Sequence, residues 1–158
     1  MISSHDQKNQ IMKSSLILAL NIFLVLDVFG QKEEISMNAI LKDAGYYVQK
    51  VEMEFGKEIV RMEFDIIQNT KTTFRTLTDQ YEYGILAFGD YRIADIDIKV
   101  YKYVNSQWTL ITQDQTQDRN ALVTIKPDFT ADYMIEIIAY KFEPGYSVGH
   151  YGLIVFHN

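Results

Sequence analysis

The sequence has no cysteine, two prolines (Pro127 and Pro144) and a single tryptophan in 158 residues. Without cysteine there is no disulfide framework, no thiolate metal site, no thiol nucleophile and no lipid attachment through a cysteine. The scarcity of proline, with 47% hydrophobic and 13% aromatic residues, excludes disordered and fibrous classes and leaves one folded core. Positive charge is short as well. The net charge is −6, which disfavours a nucleic-acid partner, because a polyanion needs a basic face to release its counterions, and none is expected.

Catalytic signatures are also missing. Beyond residue 30 only two histidines remain, His150 and His157, and neither stands at a recognisable spacing from a serine or aspartate. There is no His-Glu-x-x-His, no Gly-x-Ser-x-Gly and no Gly-rich phosphate loop. Acidic pairs such as Asp95/Asp97 and Glu52/Glu54 have the residue type that glycoside hydrolysis uses, but at this spacing on a strand they read as surface. The expectation is a non-enzymatic chain that requires no cofactor.

Only one long hydrophobic run is present. It extends from Leu16 to Leu26, follows Met12 and Lys13, and ends before Val28 and Gly30, which suit the −3 and −1 positions of a signal-peptidase site. At about a dozen residues the run is short of the ~20 that a bilayer span needs. Residues 1–30 are therefore expected to be a secretory signal, with 1–11 as an upstream extension, and an uncleaved segment here is the only membrane attachment foreseen. The expected location is outside the cytoplasm: secreted, periplasmic or in the cell envelope.

Residues 31–55 read as a helical segment. Met37, Ile40, Leu41, Ala44, Val48 and Val51 recur at helical spacing behind Ser36 as a possible N-cap, with Gly45 inside the run. The helix is expected to cover an open sheet edge or one end of the domain. From residue 56 to 158 the period falls to two. EIVRMEFDII, KTTFRTLT, YEYGILAFG, DIDIKVYKYV, QWTLITQD, NALVTI, DYMIEIIAYKF and HYGLIVFHN read as eight short strands between polar turns. The fold class is all-β: an antiparallel β-sandwich of jelly-roll type. Ile96, Ile98, Val123, Ile135, Ile137, Leu153 and Val155 are the candidate core.

Ordered motifs run along these strands: Gly89-Asp90 closing a tyrosine-rich strand, Asp95-Ile96-Asp97-Ile98, Pro127 through Tyr133, and Gly149-His150-Tyr151-Gly152-Leu153. Between Met62 and Phe156 the chain resembles the bacterial pre-peptidase C-terminal domain, departing from it where Ala131-Asp132 precede the tyrosine strand. The resemblance implies a β-sandwich found on secreted bacterial proteins, none of whose marker residues is catalytic, and a binding or accessory function. It implies protein or surface-polymer contacts.

Two groups are candidate sites. Asp90, Asp95 and Asp97 offer carboxylates at i and i+2 with a third from the preceding loop, a pattern that could supply three of the six to eight oxygens around calcium. Alternation places Asp95 and Asp97 opposite Ile96 and Ile98, so the other reading is a solvated strand face with Lys99 on it. Tyr101 and Tyr103 continue that face, and with Trp108 they are candidate ligand-binding rings for a glycan; the other reading is that the rings fill the sandwich. A row or platform of exposed rings would mark a glycan binder, and scattered rings an accessory module.

Overall fold

The computed structural model describes Met37–Asn158; the signal segment and Ser36 lie outside these residues. One helix, α1 (Asn38–Gln49), continues through a π-helical turn, Lys50–Glu54. Eight strands follow: β1 (Glu58–Ile67), β2 (Thr70–Leu77), β3 (Tyr83–Gly89), β4 (Ile93–Val104), β5 (Gln107–Asp114), β6 (Asn120–Ile125), β7 (Ala131–Phe142) and β8 (Gly149–His157).

They form two antiparallel sheets with strand orders β1-β8-β3-β6 and β2-β7-β4-β5. Consecutive strands β1/β2 and β5/β6 sit at matching edges of opposite sheets, the double Greek key of a jelly roll. The inner faces meet in one core. Ile96, Ile98, Val100, Ile135, Ile137 and Tyr133 from one sheet face Ile85, Ala87, Val123, Leu153 and Val155 from the other, all buried, as alternation requires.

The helix does not cap an edge or an end. It lies on the outer face of the first sheet, where Ile40 and Ala44 pack with Leu86, Phe88 and Ile154. The reason is legible in β3 and β8: both are apolar on successive residues, and β3 is buried along its whole length, the pattern of strands covered on both faces. Phe88 lies across Gly152 and Phe156 across Gly84, and a Cβ at either glycine would overlap the ring. The rings thus lie flat enough to floor the helix. Gly45 is exposed and its Cβ would meet nothing within 4 Å, so it interrupts the helical pattern without interrupting the helix. Among the described residues no helix is long and apolar enough to cross a membrane.

At the edge of the sandwich formed by β1 and β2, polar side chains pair across the two sheets. β1 and β2 are joined at their side chains by Lys71 to Asp65 (2.5 Å) and by Arg61, which donates to Thr73 Oγ1 (2.9 Å) and pairs with Glu63.

Candidate functional site

Among the described residues no helix lies on the outer face of the second sheet. β4 and β5 are joined by Asn105 and Ser106, both with positive φ (52° and 65°), the two-residue turn whose twist matches a hairpin. This tight turn places Tyr103 opposite Trp108 and Tyr101 opposite Leu110. Tyr101 is also opposite Met134 of β7, which is opposite Phe74 of β2. One row, Phe74–Met134–Tyr101–Leu110, therefore crosses all four strands.

Above this row the rings converge. Trp108 is 5.0 Å from Tyr103 and 5.6 Å from Phe74 between centroids, with interplanar angles of 52° and 46°. Phe74 and Trp108 stand on the two edge strands, whose backbones at ~4.8 Å per strand are about 14 Å apart. Both side chains consequently lean inward over Met134 and Tyr101, which are half-buried, while Phe74 keeps 57% and Trp108 38% of its surface exposed. Tyr103 and Leu110 are exposed beside them. Phe74, Tyr103, Trp108 and Leu110 thus leave apolar surface accessible side by side.

Polar groups frame it. The adjoining row carries Thr72, Glu136, Lys99 and Gln113, and Tyr101 donates its hydroxyl to Glu136 (3.1 Å). On the other side Thr76 donates to Asp132 (2.6 Å). Burial and then Glu136 push the Tyr101 phenol upward, so it remains a neutral donor.

Of the three rings expected from the sequence, Tyr103 and Trp108 are exposed together and Tyr101 lies half-buried beneath them. Phe74 and Leu110 complete the surface and were not foreseen. The signal for Phe74 is a ring alternating with Thr70, Thr72 and Thr76, an apolar residue on an otherwise polar face.

The aspartates are not on a solvated face. Asp90 is fully buried, and Asp95 and Asp97 keep only 5% and 3% exposure. The upper part of β4 has no β5 partner before Ile98, so the β5–β6 connection folds over it: Ile96 N–H donates to the Asp118 carbonyl (2.9 Å). Burial pushes the Asp97 carboxyl up, and Asp95 beside it adds to the rise. Asp95 Oδ1 is buried without a hydrogen-bond partner among the described residues.

Asp90 has a different environment. It accepts from the Arg92 backbone N–H (3.0 Å), Arg92 Nε (3.0 Å) and Arg92 Nη2, and from the His150 backbone N–H (3.0 Å). Arg92 Nη2 also donates to His150 Nδ1 (2.7 Å). Burial alone would push the Asp90 carboxyl up, but the Arg92 and backbone hydrogen bonds outweigh it and hold it below the usual range. Asp90 is thus committed to a buried corner that ties the β3–β4 turn to β8. Among the described residues no three acidic or histidine side chains are grouped to hold a metal ion.

His150 and His157 are likewise engaged. His150 is buried in that corner, and His157 stacks on Tyr81 at 3.9 Å.

No protein-family model matches the sequence, and no curated protein matches it. Solved structures of similar fold include the pre-peptidase C-terminal domain of a collagenase from Bacillus anthracis, 14% identical with a TM-score of 0.47, covering 60% of this chain and 87% of that one. They include Aeromonas hydrophila PliG, a periplasmic inhibitor of g-type lysozyme, 11% identical with a TM-score of 0.41, covering 66% and 90%. A third is the family 32 carbohydrate-binding module of C. perfringens NanJ in complex with galactose, 13% identical with a TM-score of 0.34, covering 60% and 75%. The first belongs to the family that the sequence resembles, and all three likenesses concern the fold.

Proposed function

We propose that this chain is an exported, non-enzymatic binding module whose contact surface is the outer face of the second sheet, and that it binds a glycan chain of a surface polymer. The observation that carries the reading is the Phe74–Trp108–Tyr103 cluster. Rings from both edge strands meet above the sheet and stay exposed, at the cost of apolar surface left in water. Such a cluster supports a platform in preference to scattered surface rings. Its faces are mutually inclined, which suits a sugar chain that twists along its length better than a flat crystalline surface. Thr72, Glu136, Lys99 and Gln113 alongside supply donors and acceptors for hydroxyl groups. Export rests on residues 12–30 of the sequence.

Leu110 and Met134 favour a second reading, because aliphatic side chains offer nothing to hydroxyls and fit the apolar centre of a protein interface. Trp108 is the sole tryptophan, so its emission reports this surface directly. Titration with soluble oligosaccharides is expected to change that emission saturably. Unchanged emission across a broad glycan panel overturns the glycan reading.

A further inference from the structure

A concave site lies on the other side of the sandwich, between α1 and the turn that leads into β6. Its walls are Asp43, Tyr46 and Tyr47 from the helix and, opposite, Asp118 and Arg119 from the turn with Asn120 at the start of β6; Phe88 and Gly89, at the end of β3, form its floor. The cleft holds about 230 Å³, less than the roughly 300–1,000 Å³ of sites that take drug-sized ligands. Its size suits a single ring.

The helix builds its wall by spacing. Ile40 and Ala44 bury the stripe that faces the sheet, and Asp43, Tyr46 and Tyr47, at i, i+3 and i+4, share the flank beside it. Tyr47 packs on Phe88 at 4.7 Å and meets Tyr46 edge-on at 5.3 Å, which leaves Tyr46 57% exposed. On the other wall Asp118 Oδ1 accepts from Arg119 N–H (2.6 Å) and Asn120 Nδ2 (3.1 Å), and the Arg119 carbonyl accepts from Gly89 N–H (2.8 Å). The turn is therefore anchored to the end of β3. Burial, then Asp43 and Asp118, push the Tyr47 phenol up, which keeps it a neutral donor.

Charge decides the ligand class. Among the described residues no ion pair engages Asp43, Asp118 or Arg119. Two carboxylates oppose an anion, and the guanidinium in the same cleft offsets part of their attraction for a bare cation. A neutral molecule that both donates and accepts hydrogen bonds meets both signs, and a ring-shaped one also covers Tyr46.

We propose that this cleft binds one residue of a neutral sugar, with Tyr46 as the stacking face and Asp43, Asp118, Arg119 and the Tyr47 hydroxyl as partners of its hydroxyl groups. The site is independent of the Trp108 surface and stands or falls separately from it.

The test is amide-resolved NMR of the folded chain titrated with glucose, galactose, mannose and N-acetylglucosamine. At least one sugar is expected to shift the Tyr46, Tyr47, Gly89 and Asn120 amides saturably. Tyr46→Ala, at an exposed position, and Asp43→Ala are each expected to weaken binding about tenfold, the effect of one stacking or charge-assisted contact; Trp108→Ala is expected to leave it unchanged. Three results overturn the proposal: no saturable shift with any sugar, shifts that survive both cleft substitutions, or the same amides responding instead to tetramethylammonium or inorganic phosphate.

Discussion

Asp90 and Arg92, two residues apart and both buried, close on each other as an ion pair that His150 completes from β8. The pair explains why an aspartate ends a strand that is otherwise apolar: its carboxylate orders the turn by accepting from the Arg92 and His150 backbone amides while neutralising a buried guanidinium. Removing one partner leaves the other charge uncompensated, which costs about 3–5 kcal/mol in buried pairs. Asp90→Asn is expected to lower stability by that order in denaturant titration. Because the folded carboxyl is held low, its contribution is present above the ordinary aspartate range and is lost as pH falls through the folded value. The stability difference between wild type and Asp90→Asn should therefore shrink in acid; a difference that stays constant down to strong acid contradicts this role.

Asp97 is expected to behave in the opposite way. Its folded value is raised by burial and by Asp95, so the stabilising contribution of its protonated form is present below the ordinary aspartate range and gone once pH passes the folded value. At neutral pH the ionised Asp97 opposes folding, and Asp97→Asn is expected to leave the thermal midpoint unchanged or to raise it. Calcium is expected to leave the wild-type midpoint unchanged, since Asp90, the third candidate ligand, is held by Arg92. A bound ion would instead add about 2.7 kcal/mol at one hundred times its dissociation constant. A calcium-dependent rise that Asp97→Asn abolishes contradicts this assignment.

Alkaline pH probes the core from the other side. Tyr151 is buried opposite Asp65, and burial, with Glu63 and Asp65 adding to it, pushes its phenol up to about 12. Unfolded tyrosine titrates near 10, so between pH ~10 and 12 the unfolded chain releases a proton that the folded chain retains. Stability is expected to fall as pH rises through that window. Tyr151→Phe should flatten the decline; an equally steep fall in the variant assigns it to another group.

The strands were legible because alternation is local. The runs EIVRMEFDII, QWTLITQD and NALVTI coincide with β1, β5 and β6, and the burial of Ile96, Ile98, Ile135 and Ile137 follows from period two alone. The placement of α1 was encoded too, in the two-sided apolarity of β3 and β8, but that signal competes with the simpler expectation of a covered edge. The burial of Asp95 and Asp97 was not legible, since it depends on the β5–β6 connection folding back over β4, a contact across some twenty residues. Phe74 was hidden for a similar reason: nothing local says that a ring on β2 reaches one on β5.

Export has a direct readout. If residues 12–30 act as a cleaved signal, protein recovered from its own host is expected to begin at or near Gln31, as N-terminal sequencing would report. An intact start on a cytoplasmic protein removes export from the account.

The central claim is that the surface formed by Phe74, Tyr103 and Trp108 is where this chain meets a glycan. The most direct measurement is a glycan array, or co-sedimentation with cell-wall polysaccharide, comparing wild type with Phe74→Ala and Trp108→Ala at matched thermal midpoints. Both positions are substantially exposed, so the fold should survive either change. The account predicts selective binding by wild type that weakens at least about tenfold in each variant, as loss of a ring worth about 1.4 kcal/mol or more requires. Wild-type binding undiminished in both variants, or no glycan bound by wild type, contradicts it.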